Sequence, residues 1–108
     1  MKQLSIKTIE YKQLCDGLKT ILENLAIDEI EFIENEQLFL GIKRASFLSF
    51  GEKISIQIME IETNEFQINI SSNSLFALQF IDWGANSENI EFIVEEFKKI
   101  FNNETIRL

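Results

Sequence analysis

Asp82-Trp83-Gly84-Ala85-Asn86-Ser87-Glu88-Asn89 is the stretch on which the fold of this chain is decided. A run of segments with strand-like alternation ends before it, and an amphipathic helical pattern follows it. Gly84 can take a positive φ at little steric cost, so the chain can turn sharply after Ile81 and Trp83. Asn86 or Ser87 offers a side-chain oxygen to the free N–H groups of a first helical turn. Glu88 lies in that turn, where the helix dipole favours an anion. Beyond it Ile90, Ile93, Val94, Phe97, Ile100 and Phe101 fall at the spacing of one helical face, with Phe92 off it. The pattern predicts a helix to about Asn102, with Glu95 placed to pair with Lys99. Trp83, just before the cap, is expected to pack as an aromatic anchor at the helix entry. If this corner also holds a ligand, Asp82, Trp83 and Asn86 are the residues it offers.

Upstream the apolar period is 2 instead of 3.6. Glu65–Ser71 sets Phe66, Ile68 and Ile70 on one face and Gln67 and Asn69 on the other. Thr63-Asn64 closes it into a hairpin with Lys53–Ile61, where Ile54, Ile56 and Ile58 alternate with Lys53, Ser55 and Gln57. Past Ile58 the phase flips to Met59 and Ile61, the mark of a β-bulge or of a strand covered on its other face. Asp28–Glu34 carries Ile30 and Phe32 between acids, a half-buried strand. A turn at Asn35-Glu36 leads to a second strand with Leu38, Leu40 and Ile42 on one face and Phe39, Gly41 and Lys43 on the other. We assign Leu38 and Leu40 to the core. Ala45–Gly51 fits either a continuing strand or an aromatic loop, and Phe47 and Phe50 would form a binding surface if exposed. Leu75–Trp83 is mostly apolar with neither period, and fits a helical turn or a last strand.

At the start of the chain a short strand through Leu4 and Ile6 precedes a helix capped by Thr8 and running to about Leu25. Its stripe is Tyr11, Leu14, Leu18, Ile21, Leu22 and Leu25, bordered by Cys15. Gly17 within it costs about 1 kcal/mol relative to Ala, which a close approach by another element would explain. Thr105–Leu108 is expected to be a loose tail. No repeat or linker divides residues 1–108, so one domain is expected. Two greasy helical stripes need a sheet to cover them. The expected fold is therefore α+β, two-layered: an antiparallel sheet of about four or five strands with both terminal helices on one face.

Composition narrows function by subtraction. The net charge of −8 is concentrated in residues 27–36 and 82–96, each with five acids and no base. That disfavours phosphate backbones and anionic membranes and suits either solubility or a basic protein partner. Lys43-Arg44 is too small a basic group for nucleic acid. There is no His and one Cys, so the usual catalytic bases, zinc sites and iron–sulfur ligands are missing, and no phosphate-binding glycine motif occurs. No cofactor is implied. Glu29/Glu31 and Glu60/Glu62 alternate outward along strands, the ordinary place for solvated acids. Cys15 has no base to activate it. With no signal core and no apolar run near the ~20 residues that span a bilayer, the cytoplasm is the expected compartment.

Ile70-Ser71-Ser72-Asn73-Ser74, followed by Gln79, Asp82-Trp83-Gly84, Asn86 and Asn89, resembles the ending of small bacterial domains to which no activity is attached. Phe47-Leu48-Ser49-Phe50-Gly51-Glu52 matches an upstream part of that pattern, with Phe50 in place of Trp and Ala85 in place of a basic residue. The resemblance implies a compact α+β domain and no substrate. The functional expectation is a non-catalytic binding protein, of inhibitor or immunity type, meeting a partner through an acidic or aromatic-edged surface. The alternative is a carrier of a small apolar ligand between sheet and helices. A homodimer through an exposed strand edge, at the N-terminal strand or at Asp28–Glu34, is compatible with either.

Overall fold

The computed structural model describes residues 1–25, 27–44, 51–75, 84–101 and 106–107. In chain order the elements are β1 (Lys2–Lys7), α1 (Tyr11–Asn24), β2 (Glu29–Ile33), a 3₁₀ turn (Glu34–Glu36), β3 (Leu38–Lys43), β4 (Glu52–Glu62), β5 (Glu65–Ser74), α2 (Ala85–Ile100) and β6 (Ile106–Arg107). The strands form one sheet in the order β2-β3-β4-β5-β1-β6, antiparallel at every pairing. The fold is α+β, with both helices packed on one face of five full strands. Residue 106 opposite Ile6 and residue 107 opposite Ser5 add a two-residue strand where a loose tail was expected.

The covered face follows from the period. Ile54, Ile56 and Ile58 of β4 stand opposite Ser72, Ile70 and Ile68 of β5, and Leu4 and Ile6 of β1 stand opposite Ile68 and Phe66. All of these except Ser72 are 2% exposed or less. Leu14, Leu18, Ile21 and Leu22 from α1 and Ile93 and Phe97 from α2 close over them. The phase change past Ile58 is a bulge: the β4–β5 register slips between Glu60 and Glu62, leaving Met59 and Ile61 exposed. Thr63-Asn64 turns the hairpin, with Asn64 at φ 58.

β3 corrects the sequence assignment. Phe39 and Gly41 stand opposite Ile56 and Ile54 and are buried, so Leu38, Leu40 and Ile42 line the open face instead. Both faces of this strand are apolar, and its neighbours choose between them. Ile27 lies over Gly41, its Cγ2 2.7 Å from the place a Cβ would take. Ile33 and Met59 share the open face, which on β4 and β5 is otherwise polar up to the bulge, and Ser55 and Ser71 join hydroxyls across it at 2.6 Å.

The helix starts also differ from expectation. Thr8 stands at φ 63, a region β-branched residues avoid, and makes the turn out of β1. The helix is capped at Glu10, whose backbone N–H donates to the Gln13 side chain at 3.3 Å. Gly84 is the N-cap of α2, at φ 82, so Asn86 and Ser87 lie inside the first turn instead of capping it. α2 ends at Ile100, which is 42% exposed and leaves the stripe, while Phe101 packs on the core. Gly17 is the close approach its sequence position implied. The Phe101 ring stands against it, with Cε1 and Cε2 3.2 Å from an added Cβ and the ring tip nearer still.

Candidate binding site: a polar cluster under α2 and an acidic sheet edge

Three strands end in one cross-strand row, Lys43 opposite Glu52 and Glu52 opposite Ser74. Ser72 lies one same-face step along β5, opposite Ile54. Over this corner the sharp turn at Gly84 starts α2, with the Gly84 carbonyl accepting the Glu88 N–H at 2.9 Å. Asn86 and Asn89, three apart on the helix, bond to side chains of this corner.

Asn89 is the hub and is 1% exposed. Its Oδ1 accepts from Lys43 Nζ at 2.9 Å, and its Nδ2 donates to Glu52 Oε1 at 2.9 Å and to Ser72 Oγ at 3.2 Å. The Ser72 hydroxyl donates in turn to Asn86 Oδ1 at 2.7 Å, and Asn86 Nδ2 donates to Ser74 Oγ at 3.3 Å. An ammonium can meet only the oxygen of an amide and a carboxylate only its NH₂, so the two charged partners fix which way Asn89 faces. Glu52 is 2% exposed, and such burial costs several kcal/mol unless the charge is hydrogen-bonded, as here. Chemically the cluster is a tether. The Ser72 hydroxyl donates to an amide oxygen, which is no general base, and the Lys43 ammonium donates to another.

Of the sequence-predicted site residues, Asn86 is in this cluster. Phe47, Phe50, Asp82 and Trp83 lie outside the described residues. Gly51 and Leu75 are joined, the Leu75 N–H donating to the Gly51 carbonyl at 3.0 Å. Sequence reasoning missed Glu52 and Asn89 as buried polar groups. Both had a legible signal: Glu52 is in phase with Ile54, Ile56 and Ile58, and Asn89 sits four residues before Ile93 on the buried stripe.

The second feature is the sheet edge. Among the described residues β2 pairs with β3 alone. Glu29, Glu31, Glu34 and Glu36 are exposed along it and its 3₁₀ extension. Asp28 is paired with Arg44 at 2.9 Å. Phe32 points to the helix side, stacks on Phe39 with centroids 4.5 Å apart, and remains 36% exposed because β2 is the outermost strand. Of the second acidic stretch, Glu88, Glu91 and Glu95 are exposed on the outer side of α2. Glu95 pairs with Lys98 at 3.5 Å, not with Lys99 as expected.

Elsewhere, Cys15 borders the core beside Tyr11. Burial pushes its thiol up, against the pull of a hydrogen bond to Tyr11, which disfavours the thiolate. The Tyr11 hydroxyl is pushed up to about 12 by burial and by that same bond. A groove of about 540 Å³ runs between exposed residues of α1 (Gln13, Asp16, Thr20) and the end of α2 at Ile100 and Phe101. It is open to solvent on the outside of the helices, not between helices and sheet.

No known protein family, curated protein or solved structure matches this chain. Fold and surface together define a class: a two-layer α+β domain with a tethered helix and a charged sheet edge that is unpaired among the described residues.

Proposed function

We propose that this protein is a non-catalytic binding module, of the inhibitor or immunity type, which meets a basic protein partner through the β2 edge. The observation that carries the proposal is the run of exposed Glu29, Glu31, Glu34 and Glu36 beside the half-open Phe32. Like-signed charge of this kind steers a basic partner and fixes its register, while a partly desolvated aromatic supplies contact energy. The lack of His, the protonated Cys15 thiol and the mutual engagement of the polar cluster support a non-catalytic role. Among the described residues no helix is long and apolar enough to cross a membrane, which agrees with the cytoplasmic location we propose. The test is affinity capture across a salt series. A protein retained at low salt should be released as exposed charges are screened, over roughly 0.05 to 0.5 M. A partner held equally at both ends of the series would refute an electrostatic interface.

A further inference from the structure

Resting on that same site, we propose that β2 takes its partner as an added strand, and that the segment it takes alternates basic and apolar residues. An edge strand turns every second N–H and C=O outward, away from its one neighbour. β2 is five residues long, so it presents roughly 17 Å of such backbone. Its side chains alternate in register with β3: Glu29 and Glu31 fall on the open face with Ile42 and Leu40, Ile30 and Phe32 on the helix face with Gly41 and Phe39. An incoming strand sets its own side chains beside these, because neighbouring strands share one pleat. Lys or Arg at alternate positions then pairs with Glu29 and Glu31, and apolar residues between them cover Ile30 and the exposed part of Phe32.

The same alternation disfavours a second copy in the two central registers. Two β2 strands paired antiparallel about Ile30 set Glu29 against Glu31 twice, and pairing about Glu31 sets that acid against itself. Like charges directly opposite are destabilising. The edge is thus guarded against itself in the registers about Ile30 and Glu31 and open to the opposite charge pattern, a combination that recognises an extended segment by main-chain bonds and alternate side chains.

Two peptides of equal composition and charge separate this mode from a general attraction: alternating Lys-Val-Lys-Val-Lys-Val, and the block Lys-Lys-Lys-Val-Val-Val. Titrated into the whole chain at low salt, the alternating peptide should bind at least tenfold tighter. At saturation it should slow hydrogen exchange at outward amides of Glu29–Ile33 at least tenfold, and Glu31→Lys should abolish both effects. Equal binding of the two peptides with unchanged exchange would overturn strand addition and leave the acidic-surface proposal standing. No binding of either would overturn both.

Discussion

Asn89 shows how one side chain can hold two layers together. Replaced by Leu, it would leave Lys43 and Ser72 each short of a hydrogen bond and remove one donor from buried Glu52. An unsatisfied buried polar group costs about 1–3 kcal/mol. We expect Asn89→Leu to lose about 3–5 kcal/mol in chemical denaturation, whereas the exposed neighbour Glu91→Leu should change stability by less than about 0.5 kcal/mol. Near-equal losses would mean that the cluster does not fasten α2. Tyr11 gives a pH test at the same scale. Its folded pKa of about 12 lies above the ordinary 10.0, so folding favours the protonated phenol. That contribution is complete below about pH 10 and is lost as pH rises toward 12. Tyr11→Phe, which cannot ionise, should therefore lose less stability than the parent between pH 9 and about 12, in denaturant titrations at each pH. Parallel stability curves would contradict the burial of that hydroxyl.

Among the elements, α1 meets the end of α2 at Gly17. Ala at that position gains about 1 kcal/mol of helix propensity and meets the Phe101 ring. That ring cannot retreat inward, because it stacks on fully buried Phe97 at 4.7 Å. Gly17→Ala should therefore destabilise the parent by about 1–3 kcal/mol and stabilise the Phe101→Ala variant by about 1 kcal/mol. Thermal melts of the four proteins check this change of sign; the same sign in both backgrounds would refute the close approach. This contact was legible because an unexplained glycine inside a helical stripe asks for a neighbour. The β4–β5 hairpin was legible too, since Ile54–Ile58 and Phe66–Ile70 keep strict alternation. β3 was not, because Leu38, Leu40, Ile42 and Phe39 make both its faces apolar and only the register against Ile54 and Ile56 selects one. The cap of α1 was misplaced because Thr8 has good cap chemistry, yet the chain uses it for a left-handed turn. β6 is two residues long, too short for any period to show. The polar cluster was half legible: Asn86 stood out beside a glycine, whereas Asn89 and Glu52 were hidden in apolar stripes.

For the whole molecule, the sheet has one covered face, one open face and an outermost strand, β2, on which Glu29 and Glu31 stand exposed beside Glu34 and Glu36. Net charge alone would attract any basic protein, so the proposal depends on where the acids stand. Two variants with matched charge change decide the matter. Glu29→Lys/Glu31→Lys/Glu34→Lys alters the β2 edge, and Glu88→Lys/Glu91→Lys/Glu95→Lys alters the outer side of α2 by the same six charge units; every residue changed is exposed. The most direct measurement is the dissociation constant of the captured partner for the parent and both variants at one ionic strength. The edge variant should lose at least a hundredfold, about 2.7 kcal/mol, and the helix variant less than tenfold. Equal losses in the two, or the larger loss in the helix variant, would show that the β2 edge is not the binding surface.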